Sequence, residues 1–264
     1  MTGVQTCALP ISRKMLKKIG IDDVTVIDPN SWYYFNMKMS QAKAGRLAIT
    51  LPDEPLEFIN LILYLSTGKI FEITIFNTSG EKIEDEFLND NYRTEAHEIK
   101  GAGSLHFVDP REDTQLNNLL ENQKDNSYGP CNDYEIIDYI HRVMQFVNSG
   151  IKTVNNPTAI CVSKFDLLMH RIPYDLPENP FVNIEEKLFI RKINSVSEEL
   201  SKFLSQNSTT INPKELSSQF KNIRYFAVAP HGSDKYPTFW KDRNPKGILA
   251  PFLWILKELK ILPE

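Results

Sequence analysis

Thr158-Ala159-Ile160-Cys161-Val162-Ser163-Lys164-Phe165-Asp166 (TAICVSKFD) is a short β-branched and apolar run that stops on a charged tetrapeptide. Such a run, without polar alternation, predicts a strand buried on both faces, as in a parallel sheet. Two more runs of the same kind flank it: 104–108 (SLHFV), ending in Asp109-Pro110, and 225–229 (YFAVA), leading into Pro230-His231-Gly232. Amphipathic helical spacing is expected at 134–146 (YEIIDYIHRVMQF), with one helix around 184–204 and another at 248–259. Earlier in the chain, 56–65 (LEFINLILYL) and 70–76 (IFEITIF) read as two strands, and Ser66-Thr67-Gly68-Lys69 between them as a hairpin turn. The stretch 24–28 shows no clear period, and 115–126 reads as polar and mobile. The pattern predicts an α/β fold, with a mostly parallel sheet and helices on both faces. In such sheets ligands sit beyond the carboxyl ends of the strands.

Composition narrows the function classes. The chain has 264 residues, 41% hydrophobic and 24% charged, with a formal net charge of −4. That is ordinary globular composition, with no basic footprint for nucleic acid or an anionic membrane. No apolar run reaches the roughly 20 residues of a membrane span. Cys7, Cys131 and Cys161 have neither zinc nor redox spacing, so a reduced, cytoplasmic setting is expected and Cys161 reads as an inert core residue. The five histidines are dispersed. The domain division expected is 1–12 apart from 13–264, the latter one α/β domain with a polar, helical insertion at about 169–220. Met1 to Ile11 (MTGVQTCALPI) is similar, codon by codon, to the translation of a common sequencing adapter read from a GTG start. Residues 1–12 are therefore expected to be an artefact. Arg13 to Ile19 (RKMLKKI) reads as the basic end of a helix capped by Gly20.

Ser163-Lys164-Phe165-Asp166 suits recognition of a guanine base. An ionised aspartate accepts two hydrogen bonds and matches the ring N–H and exocyclic amino donors, which adenine lacks on that edge. A lysine stem can lie across the flat base with its ammonium group in water. Asn77-Thr78-Ser79-Gly80-Glu81 ends an upstream strand, and Val228-Ala229-Pro230 ends a downstream one.

These segments resemble, in order and in strand placement, the motifs of G-domain GTPases. Ser163-Lys164-Phe165-Asp166 is similar to the guanine motif [NTS]-K-x-D, and Asn77-Thr78-Ser79-Gly80 to the D-x-x-G switch. Ala229-Pro230 falls at the short loop whose backbone N–H meets the guanine carbonyl. Gly103 to Pro110 is similar to a "G-hydrophobic-hydrophobic-D-P" strand. Ala250-Pro251-Phe252-Leu253-Trp254-Ile255-Leu256 is similar to the closing helix of the bacterial TRAFAC-clade, double-GTPase type of P-loop NTPase. The resemblance covers about 56–262.

What it implies is a magnesium-dependent GTP-binding switch that hydrolyses GTP to GDP and phosphate. Ser163, Lys164, Asp166, Ala229 and Pro230 would hold the base. Asn77 and Thr50 would serve the magnesium ion, Gly80 would sense the γ-phosphate, and Glu81 would position the attacking water. The resemblance also implies protein partners or fused domains.

Two departures bear on this. Asn77 stands where the family has Asp, which weakens its hold on metal-bound water. No G-x-x-x-x-G-K-[ST] occurs anywhere in the sequence. With an adapter-derived start, the first strand and that loop are expected to have been cut off, leaving this chain a weak nucleotide binder. The alternative reading is a degenerate G domain acting as a non-hydrolysing interaction module. A third is a doubly wound domain unrelated to GTP.

Overall fold

The computed structural model describes residues 13–27, 29, 32–33, 57–77, 102–111, 113–120, 153–169, 189–229 and 246–262. It is a mixed α/β structure, with one antiparallel and one parallel sheet of three strands each. The parallel sheet expected from the sequence is present at 104–108, 158–162 and 223–227, whereas the three described strands between 21 and 77 pair antiparallel.

In the antiparallel sheet, strand β1 spans Ile21–Val26, β2 Glu57–Leu65 and β3 Ile70–Asn77, in the order β1-β2-β3. The β2–β3 hairpin closes where the turn residues predict it. Gly68 takes φ 79, a left-handed conformation that a side chain would resist, and donates its N–H to Leu65 O at 2.8 Å. Leu61, Leu63 and Leu65 are buried and alternate with half-exposed Ile62 and Tyr64, the period of a sheet with one packed face. Strand β1 was not legible in the sequence: Asp22 and Asp23 interrupt its alternation, and its register shifts between Ile21 and Asp23. It is preceded by helix α1 (Arg13–Lys18), which Gly20 terminates at φ 83, as expected.

In the parallel sheet, β4 (Ser104–Val108), β5 (Thr158–Val162) and β6 (Ile223–Ala227) run in that order, with β5 central and wholly buried. Val162 pairs with Val108 on one side and Ala227 on the other, so all three strands end at one level. Cys161 lies in this core, where burial pushes its thiol well above the usual range and leaves it unreactive, as expected.

Helices cover this sheet differently from the expectation. The stretch 115–126 was read as mobile, yet α2 (Thr114–Asn118) forms there because Asp113 caps it and Leu116 is buried. The 169–220 stretch was expected to hold one helix. Among its described residues it holds α3 (Phe189–Asn207) and α4 (Pro213–Gln219), and both feed the main core through Ile193, Leu200, Leu204 and Leu216. Helix α3 is the one expected around 184–204, whereas α4 is additional: Asn212 caps it by accepting from Lys214 N–H and Pro213 opens it, a start signal present in the sequence. The helix expected at 134–146 lies outside the described residues.

Helix α5 (Leu249–Glu258) joins the two sheets. Trp254 and Ala250 belong to the core of the parallel sheet, whereas Leu253 and Leu256 belong to a second cluster with Ile21, Leu63 and Leu65 of the antiparallel sheet. Gly103 permits this packing at the start of β4, because a Cβ there would meet Ile255 Cγ2 at 2.6 Å.

Strand β4 carries a half-buried histidine whose Nε2 is enclosed. The Nε2 of His106 has no hydrogen-bond partner among the described residues, and burial lowers its pKa from 6.5 to about 4. A histidine neutral in the native state and protonated when unfolded makes stability rise with pH, so stability should fall as pH drops from about 6.5 to about 4. The expected loss across that window is on the order of 2 kcal/mol. His106→Leu should flatten it, as read by urea unfolding at pH 7 and pH 4.5. An unchanged pH slope in the variant would show that His106 is not its source.

Candidate functional site at the carboxyl ends of the parallel strands

The carboxyl ends of β4, β5 and β6 bring together Asp109, Arg111, Ser163, Lys164, Asp166 and Ala229. Parallel pairing decides this, because it puts the three chain exits on one edge.

The loop after β5 is tied to both neighbours. Ser163 donates its N–H to Val108 O at 2.8 Å, and its hydroxyl to the same carbonyl at 3.0 Å. Phe165 donates its N–H to Val228 O at 3.1 Å. Its ring is fully buried and meets Phe203 edge-on, with ring centroids 6.3 Å apart. Between these anchors Lys164 adopts φ 50 and ψ 32, left-handed backbone that a lysine enters only under constraint. Strain of this kind concentrates at functional sites. A single 3₁₀ turn, Phe165–Leu167, follows and holds Asp166 with only 8% of its surface exposed.

The left-handed turn sends the Lys164 side chain toward β4. Its Nζ donates to Asp109 Oδ2 at 2.5 Å, across 55 residues of sequence. Arg111 grips the same carboxylate: its Nε lies 3.1 Å from Oδ1 and 3.2 Å from Oδ2, and its Nη2 lies 2.7 Å from Oδ2. The Arg111 backbone N–H also donates to Oδ1 at 3.1 Å. Burial pushes the Asp109 pKa up, but the Arg111 hydrogen bonds and the charges of Lys164 and Arg111 outweigh it and hold the group down at about 2. The sequence offered Asp109 as the aspartate of a hydrophobic-D-P strand end, with no role assigned, and Arg111 not at all. No local pattern pairs residues so far apart.

The third strand end is bound elsewhere. Ala229 exchanges backbone hydrogen bonds with Lys246: its N–H donates to Lys246 O at 3.0 Å, and its carbonyl accepts from Lys246 N–H at 2.9 Å. The Ala229 amide is therefore engaged, and Pro230 has no N–H to offer. A guanine carbonyl at this end would need another donor.

Asn77 closes β3, paired in register with Glu57. Thr50, Gly80, Glu81 and Pro230 lie outside the described residues. Among the described residues no group of three histidine, cysteine or acidic side chains is placed to hold a metal ion, and no helix is long and apolar enough to cross a membrane. In comparison with known proteins, the chain matches no family model, no curated sequence and no solved structure.

Proposed function

We propose that this chain is the guanine-reading body of a G-domain GTPase. The observation that carries the reading is Ser163-Lys164-Phe165-Asp166 standing directly after the central parallel strand, with a strained Lys164 and a nearly buried Asp166. Asp166 would accept from the two guanine donors, and Lys164 would underlie the base.

Sheet order adds support. A nucleoside triphosphate is a linear ligand. If its base sits at the end of β5 and its γ-phosphate near Asn77 to Gly80 beyond β3, the loop cradling the inner phosphates belongs between β3 and β4. Both β3 and β4 pair with a strand on one side only among the described residues. Each therefore leaves a backbone edge open to a further strand.

Magnesium would be held chiefly by phosphate oxygens, with Thr50 and a water on Asn77 completing its shell. Glu81 would orient the attacking water, and turnover would rest on positioning and electrostatics. A second reading, favoured by Asn77 in place of an aspartate, is a domain that binds nucleotide or protein partners without hydrolysis. GTP turnover by a form carrying the phosphate loop separates the two.

The test is ligand-observed NMR with GDP and ADP. The chain should prefer guanine, with affinity in roughly the millimolar range because phosphate contacts are lacking. Asp166→Ala should cost about tenfold or more, the worth of hydrogen bonds to a charged acceptor. Asp166→Asn, which converts one acceptor into a donor, should shift preference toward xanthine, whose second carbonyl accepts. If Asp166→Ala leaves the preference unchanged, the reading gives way to a doubly wound domain unrelated to GTP.

A further inference from the structure

We infer that Asp109 is a positioning residue for base recognition, acting through Lys164: it fixes the ammonium at the end of β4 so that the methylene stem forms a rail across the carboxyl ends of β5 and β4. This inference rests on the guanine-reading proposal and adds to it a residue outside Ser163-Lys164-Phe165-Asp166.

The geometry supplies the argument. Lys164 leaves the chain just after β5, and its Nζ ends on Asp109, one residue past β4. Neighbouring strands lie about 4.8 Å apart, so the stem must bridge that spacing. Only 27% of the Lys164 side chain is exposed, which a lysine pointing into water would not show.

The anchor is itself immobilised. Arg111 binds both carboxylate oxygens and its backbone N–H takes Oδ1, so Oδ2 presents a fixed acceptor to the ammonium. Asp109 is only 7% exposed, which shields the pair from water and salt. On the other side, Ser163 holds Val108 and Phe165 holds Val228, so neither end of the rail can drift. A lysine has several rotatable bonds. Fixing it before the base arrives removes an ordering cost that a free lysine would meet on binding, equivalent to about two- to tenfold in affinity.

A purely structural ion pair would hold β4 to β5 without affecting base preference, and a double-mutant cycle separates the two roles. Affinities for GDP and for ADP are measured by ligand-observed NMR on the chain, on Asp109→Asn, on Lys164→Met and on the double variant, each with its thermal midpoint. Lys164→Met keeps an unbranched stem but removes the ammonium. The expected result is that Asp109→Asn lowers guanine affinity about two- to tenfold. Asp109→Asn should have no further effect in the Lys164→Met background, and Asp109→Glu should retain most of the preference. An Asp109→Asn variant with a lowered midpoint but intact guanine affinity overturns the role and leaves the guanine reading standing. A loss of equal size in both backgrounds overturns it as well, since Asp109 would then act independently of Lys164. If the unaltered chain shows no guanine preference, the guanine reading fails and takes this role with it. Should Asp109→Asn not fold, Arg111→Gln loosens the same anchor from the other side. A loss of guanine affinity of about twofold supports the role and an unchanged affinity overturns it.

Discussion

Replacing Asp113 by alanine is expected to cost about 3 kcal/mol of unfolding free energy, although this residue stands just before a stretch that reads as mobile. Asp113 is fully buried, and both its oxygens are used. Oδ1 accepts from Leu116 N–H at 2.8 Å, which caps α2. Oδ2 accepts from Ser208 hydroxyl at 2.6 Å and from Thr210 N–H at 2.7 Å. One side chain thus starts a helix and holds the loop between α3 and α4 against it. Losing the cap costs about 1 kcal/mol. The Thr210 N–H, left in a buried place with nothing to accept it, adds a further ~1–3 kcal/mol. Asp113→Asn should fall between, because its amide can keep one acceptor but turns a donor toward another donor. Urea unfolding of the three forms measures this. An alanine variant within about 0.5 kcal/mol of the parent, the range of an ordinary surface change, would refute the assignment.

Trp254→Ala should cost about 3–5 kcal/mol, and the loss should be uneven across the molecule. Trp254 is 1% exposed. Its ring meets Phe226 at 5.8 Å between centroids, and the Arg224 guanidinium lies 5.9 Å from its centre. Both partners belong to β6, so the cavity opens on the parallel sheet. The neighbouring Leu253 faces the other way, into the cluster with Ile21, Leu63 and Leu65. Hydrogen exchange should therefore show amides of β4–β6 losing protection in Trp254→Ala before those of β1–β3. Uniform loss over both sheets would mean that α5 does not divide its packing as its two faces indicate.

The parts of this protein legible in the sequence are those set by neighbours along the chain. The hairpin from Glu57 to Asn77 follows from two alternating strands around a turn with glycine at a left-handed position, a local matter of backbone sterics. Strands β4, β5 and β6 follow from short apolar runs, and their mutual parallelism from the long connections between them. The placement of Ser163-Lys164-Phe165-Asp166 at a strand end follows in turn, since the polar tail begins where the apolar run stops.

Tertiary structure alone decided the rest. Strand β1 exists because β2 offers it an edge, and its own alternation is too interrupted to announce it. Asp113 is buried because loop 208–210 comes to meet it, and α5 serves two cores because two sheets approach it from different sides. Lys164 points toward β4 because Asp109 stands there, 55 residues away. The physical reason is common to all of these. Propensity and periodicity act over a few residues, whereas ion pairs, buried acceptors and shared helix faces depend on which strands become neighbours once the sheets have formed.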